Sequence, residues 1–139
     1  MKIKTYNCPV EASIDVIGGK WKTLILWWLH QGTYRFGELR RLIPAITEKM
    51  LIQQLRELEA DGIVARRVYP PVPPKVEYSL TKYGCSLERA LKAICDWGRA
   101  HMQRTGAKEI RPKLPLPEDG RKLSHKDRKR ANAAVSFKR

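Results

Sequence analysis

Few side chains in this sequence could do covalent or metal chemistry: Cys8, Cys85 and Cys95, and His30, His101 and His125. A cysteine nucleophile needs a base within reach and a third group to orient that base, and no local signature supplies either. The Cys and His residues lack the short paired spacings of a zinc site. Three cysteines, an odd number, do not read as a secreted disulfide framework. The sequence therefore assigns no catalytic residue, no metal ligand and no cofactor, and an enzyme built on Cys8 and a histidine ranks last among the readings. A different chemistry is better represented. Lys49, Gln53 and Arg56 fall within about 60° of one another on a helical wheel, opposite Leu51, Leu55 and Leu58. Lysine and arginine reach phosphate or guanine, and glutamine reaches adenine. Thr47 and the amides of the first helical turn behind it suit a phosphate. The competing reading is an ordinary solvated helix face.

The elements that position these residues follow from periodicity and stop signals. Glu11–Ile17 reads as a short helix ended by Gly18-Gly19. Lys20–His30 reads as a second, with Trp21, Leu24, Ile25, Trp28 and Leu29 at helical spacing and Trp27 on another face, available to a partner. Phe36–Ile43 is a third, stopped by Pro44, and Thr47–Ala60 a fourth, capped by Thr47 and stopped by Asp61-Gly62. Two short consecutive helices with a tight connection form a helix-turn-helix. Two strands follow, Ile63–Tyr69 and Val76–Leu80, joined by a proline-rich turn over 70–75 that cannot pair as strand. One long helix is expected from Lys82 to Arg104, with Leu87, Leu91, Ile94 and Met102 on one stripe and Tyr83, Ala90 and Trp97 on another. A single domain core rarely needs both, so Trp27, Leu87, Leu91, Ile94 and Trp97 are candidates for a dimer interface. The fold class is mainly α with a small β-hairpin.

Charge points the same way. The chain of 139 residues carries 28 Lys and Arg against 14 Asp and Glu, a net +14, which favours a polyanionic partner. Arg35, in the loop leading into the third helix, and Arg40 and Arg41 within it, add to the basic surface. Arg66, Arg67 and Lys75 do so from the hairpin, whose prolines lower the ordering cost of placing Lys75. Residues 1–105 form the expected folded domain. Residues 106–139 are a basic, proline-containing extension that holds 11 basic and 4 acidic side chains, half the net charge, and almost no large apolar residues. Such a segment cannot fold alone, although Ser124–Val135 could form a short basic helix. No apolar stretch approaches the roughly 20 residues of a membrane span, and the N-terminus lacks the apolar core of a signal peptide. A cytoplasmic protein without membrane contact is expected.

Spread along the chain are further motifs: Cys8-Pro9-Val10, Gly18-Gly19-Lys20-Trp21, Ile46-Thr47-Glu48-Lys49-Met50-Leu51, Leu55-Arg56-Glu57-Leu58-Glu59 with Asp61-Gly62-Ile63-Val64, the run from Val72-Pro73-Pro74-Lys75 through Val76-Glu77-Tyr78-Ser79-Leu80-Thr81, and Trp97-Gly98. Together they resemble the HxlR-type (MarR-like) winged helix-turn-helix regulators of bacteria and archaea, over about residues 6–102. The resemblance implies a homodimer built from the first and last helices. It implies two recognition helices entering successive major grooves of double-stranded DNA at a palindromic promoter site, as repressor or activator, with no catalytic activity. The extension 106–139 departs from the family pattern.

In some members of that family a cysteine at the Cys-Pro position senses oxidants or electrophiles. Cys8 stands just before a helix in a basic protein, a setting that favours a thiolate, and it could pair with Cys95 of a partner subunit if the first and last helices meet there. The alternative is an inert buried thiol. A small-molecule effector between the dimer helices and the DNA-binding lobe is left open, and no residue identifies one. A sequence-tolerant nucleic-acid binder, its affinity supplied mainly by the basic extension, stands as the rival to a specific regulator.

Overall fold

The computed structural model describes residues 3–70 and 73–110. The helix anticipated at Ser124–Val135, most of the basic extension and the middle of the proline turn lie outside the described residues. The element order is α1 (Pro9–Ile17), α2 (Lys22–Gln31), β1 (Tyr34–Arg35), α3 (Phe36–Leu42), α4 (Glu48–Ala60), β2 (Val64–Tyr69), β3 (Lys75–Leu80), α5 (Lys82–Cys85) and α6 (Glu88–Thr105).

Local chemistry sets the boundaries. Pro9 opens α1 at a position where its missing N–H costs nothing and its fixed φ suits a helix. At α3, the Glu38 carboxylate accepts from the Arg35 backbone N–H at 2.9 Å. At α4, Thr47 Oγ1 accepts from the Met50 amide at 3.2 Å, the expected cap. The other end of α4 closes with both bonds of a Schellman motif: Ile63 N–H to Leu58 O at 2.9 Å and Gly62 N–H to Glu59 O at 3.0 Å. Gly62 makes this turn at φ +75°, a left-handed conformation that other residues adopt at a cost. Ile63 is thereby delivered into the core beside Leu58, each at 2% exposure or less.

The sheet has three antiparallel strands in the order β1-β3-β2, one more than the hairpin anticipated from sequence. Tyr34 pairs with Tyr78 and Arg35 with Glu77, so Arg35 belongs to a strand rather than to a loop. The core lies where α2, α3 and α4 meet the sheet: Ile25, Leu26, Leu39, Leu42, Leu51, Leu55, Leu58, Ile63 and Val64 are almost wholly buried. Burial of each such side chain is worth about 1.5–3 kcal/mol. In α2 the buried apolar set is Ile25, Leu26, Trp28 and Leu29, whereas Leu24, placed on the core stripe from its spacing, is exposed.

The long helix expected over 82–104 is two helices. The chain breaks at Ser86-Leu87, and three causes converge there. Thr81 Oγ1 accepts from the Gly84 amide at 2.9 Å and caps a first turn. Gly84 lies so close to Ile63, the residue before β2, that a Cβ would stand 2.2 Å from its carbonyl oxygen, which fixes that turn against the core. Ser86 then donates from its hydroxyl to Tyr83 O, and Leu87 N–H donates to Gly84 O at 3.1 Å, three residues back, a tightened turn after which α6 starts at Glu88.

Candidate nucleic-acid interface

Helix α4 sorts its side chains as the wheel requires. Leu51, Leu55 and Leu58 are buried to 1% exposure or less, while Lys49, Gln53 and Arg56 are all exposed. From Lys49 to Arg56 the helix rises about 10 Å, a length that fits within a major groove about 12 Å wide. Its first turn carries the Thr47 cap and amides that lack intrahelical partners, and Arg40 Nη1 lies 3.6 Å from Glu48 Oε2, tying α3 to the start of α4.

The remaining basic residues are less uniform than the sequence suggests. Arg41 donates from Nε to Gly37 O at 3.2 Å and so lies along its own helix. Arg67 pairs with Glu77, which also faces Arg35 across β3, making an Arg35–Glu77–Arg67 row on one face of the sheet. The Arg67 guanidinium sits 4.8 Å from the centroid of the Tyr69 ring, a cation–π contact. Arg66 pairs with Tyr78, and the pleat sends it to the opposite face from Arg67. Both are exposed, as is Lys75 at the start of β3. The wing thus offers cations on two faces rather than one.

A feature not legible in the sequence lies beneath α4. Lys22, at the first position of α2, is buried, and its Nζ stands 2.7 Å from Glu57 Oε2 on α4. Glu57 Oε1 in turn accepts from Gln53 Nε2 at 3.4 Å. The Lys22 ammonium, assisted by the Gln53 bond, holds the Glu57 carboxyl below its ordinary range. Residues 35 apart in the chain carry no shared periodicity, so only the fold reveals the pair.

The N-terminal segment is tied to α1. Lys4 Nζ and Tyr6 Oη both donate to Asp15 Oδ2, at 3.0 and 2.5 Å, and Asn7 donates from its backbone and side chain to Glu11 Oε2. The Tyr6 bond first, then Lys4, lowers the Asp15 carboxyl, and the same bonds raise Lys4 and Tyr6. Cys8 follows this clamp at the N-cap of α1; it is exposed, with no side-chain cap bond. Cys85 is also exposed; Cys95 is half-buried, with Arg99 Nη2 3.7 Å from its sulfur. All three are free thiols. His30 Nδ1 meets Leu26 O at 2.7 Å, and His101 stacks on Trp97. Among the described residues no three His, Cys, Asp or Glu side chains cluster so as to hold a metal ion, and no helix is long and apolar enough to cross a membrane.

The residues anticipated at a dimer interface divide. Trp27 lies edge-on to Trp28 with 4.8 Å between centroids, and Trp27, Leu87 and Leu91 pack partly against this chain's own core. Ile94 and Trp97 do not: half or more of each is exposed, Trp97 to 70%. Val10 and Ile14 on α1 and Tyr83 on α5 are exposed to a similar degree.

Comparison with known proteins places the chain among helix-turn-helix regulators. The family model for HxlR-like helix-turn-helix proteins matches residues 16–106. The chain is 59% identical over 104 residues to the HTH-type transcriptional regulator YtcD of Bacillus subtilis, a match that covers 75% of this chain and 82% of that protein. Among solved structures, it is similar to the redox regulator HypR in its reduced form, with TM-score 0.69 and 50% identity over 73% of this chain and all of that one. It is also similar to HypR in its oxidized form, with TM-score 0.64 and 56% identity over 67% of this chain and 96% of that one.

Proposed function

The chain belongs to the HxlR-like helix-turn-helix family of transcriptional regulators, and from that premise we propose that it is a homodimer that recognises a palindromic promoter site in double-stranded DNA. Helix α4 enters the major groove. Lys49, Gln53 and Arg56 meet base edges and phosphates there, and Thr47 with the first-turn amides holds a phosphate. Arg35, Arg40 and Arg41 flank it on the backbone, and Arg66, Arg67 and Lys75 on the wing extend the footprint. The observation that carries this reading is the exposed Lys49–Gln53–Arg56 face directly opposite the buried leucine stripe. The protein acts by binding, not catalysis.

The dimer surface is centred on Ile94 and Trp97 of α6 with Val10 and Ile14 of α1, and the partly buried Trp27, Leu87 and Leu91 add to it. The exposure of Ile94, Trp97, Val10 and Ile14 on otherwise amphipathic helices supports this assignment. The basic extension 106–139 adds phosphate contacts, so its removal weakens binding and flattens the salt dependence; an unchanged salt slope would reject that role.

Selection from a random duplex DNA pool near physiological salt tests the function. The expected result is enrichment of an inverted repeat with half-sites centred about one helical turn apart. Binding with no enriched motif would favour a charge-driven, sequence-tolerant binder.

Cys8 is the proposed oxidant- or electrophile-responsive residue. Its exposure at the N-cap of α1 and the likeness to the redox regulator HypR support this. Diamide should release DNA from the wild type and not from Cys8→Ser. Equal sensitivity of the two proteins would remove Cys8 from the account.

A further inference from the structure

Lys22 is oddly placed for a residue whose task is stability alone. It is a cation at the N-terminal end of a helix, where the helix dipole is already positive. It is also the one buried charged side chain among the described residues. The side chain of its partner Glu57 is 43% exposed, and a pair open to water on one side adds little to stability, so the pair invites a second role.

That role is visible in how Glu57 divides its two oxygens. Oε2 faces Lys22 at 2.7 Å and Oε1 faces Gln53 Nε2 at 3.4 Å. Gln53 and Glu57 are one turn apart on α4, and Gln53 lies on the exposed face with Lys49 and Arg56. A carboxylate only accepts hydrogen bonds, so it meets the NH₂ end of the Gln53 amide and never the carbonyl end. One N–H is then committed to Glu57, and the other N–H and the carbonyl oxygen remain for a partner. Adenine in the major groove offers the complement, N7 as acceptor and the N6 amino group as donor. Without an ionised Glu57 both senses of the amide are open, and the glutamine loses its preference.

We propose that Glu57, held in place by Lys22, is a positioning residue that fixes the sense of the Gln53 side-chain amide and thereby sets base preference at one position of each half-site. The inference rests on the reading of α4 as the DNA-facing helix. A glutamate carboxylate is ionised in the neutral range, and the Lys22 bond, then the Gln53 bond, lowers the Glu57 proton affinity further.

The test uses the full chain and the duplex enriched by selection. Gln53→Ala first locates the base pair that depends on Gln53. Competition binding at that base pair then compares wild type, Glu57→Gln and Lys22→Met, alongside affinity for non-specific duplex and thermal melting. Wild type should discriminate about 10-fold or more there. Glu57→Gln and Lys22→Met should reduce this to about 3-fold or less, with other positions unchanged, a pattern that mere loosening of the fold would not produce. If Glu57→Gln keeps the wild-type preference while Gln53→Ala loses it, the inference is overturned and the reading of α4 survives. If Gln53→Ala changes no position, Gln53 reads nothing and the inference falls with that part of the reading. Should the variants not fold, NMR of the wild type decides. The Gln53 side-chain amide protons should shift as Glu57 titrates, below the ordinary glutamate range; independence from that titration would overturn the inference.

Discussion

Helices α4 and α6 are both amphipathic, yet they end in different circumstances. The 13 residues of α4 bury Leu51, Leu55 and Leu58 almost completely, whereas the 18 residues of α6 bury none. The difference lies not in the pattern but in where the complementary surface is found. For α4 it is in the same chain, on α2, α3 and the sheet. For α6, Leu87 and Leu91 find part of it there, while Ile94 and Trp97 stay half or more exposed. A lobe complete in itself is joined to helices that leave apolar side chains uncovered, and the proposed dimer would cover them as a reader of repeated DNA half-sites requires.

The largest effects are expected in α4. Leu55→Ala should cost about 2–5 kcal/mol and lower the melting temperature by roughly 10 °C or more, whereas Ile94→Ala in the isolated monomer should stay within about 1 kcal/mol. Equal losses in thermal denaturation would mean that α6 is as integral to the chain's core as α4. Next in size is association. Ile94→Asp or Trp97→Ala should weaken the dimer by about 2 kcal/mol or more, roughly 30-fold, by sedimentation across a dilution series. An unchanged dissociation constant would move the interface elsewhere.

Smaller effects sharpen the reading of the α4 face. Arg56→Ala, or Lys49→Ala, should either relax preference at one base pair by about 1–3 kcal/mol or reduce the salt slope by about 1 per lost phosphate contact. A residue that does neither in anisotropy titrations is solvated surface. Smallest is the acid limb of stability. Glu57 has its folded value held below the ordinary 4.5, so its ionised form stabilises the fold above that pH and the contribution disappears as pH falls through the folded value. Glu57→Gln should flatten the acid denaturation curve in that window; an identical curve would show that the Lys22 contact is not coupled to folding.

What the sequence carries well is local. The leucine stripe of α4, its polar opposite face, the Thr47 cap and the Asp61-Gly62 stop all follow from residues within a few turns of one another. What it hides is contact between distant segments. Strand β1 is two residues long, too short for alternation to show, and exists because Tyr34 and Arg35 meet Tyr78 and Glu77. The break between α5 and α6 depends on Gly84 pressing against Ile63, and periodicity continues across it undisturbed. In α2, rich in apolar residues, Leu24 and Leu26 compete for the core and the packing of neighbouring elements decides for Leu26. The Lys22–Glu57 pair is hidden for the same reason, since each residue alone looks like a surface charge. The opposite faces of Arg66 and Arg67 are, by contrast, a rule of every strand, available from the sequence once the strand is granted.

In the proposed assembly one lobe reads DNA while the outer helices pair two readers. The direct measurement is the mass of the complex on the selected duplex by sedimentation, for the wild type and for Ile94→Asp. Two wild-type chains should bind the inverted repeat together, and Ile94→Asp should bind each half-site singly and without cooperativity. One chain per repeat for the wild type, or cooperative pairing that survives Ile94→Asp, would contradict the account.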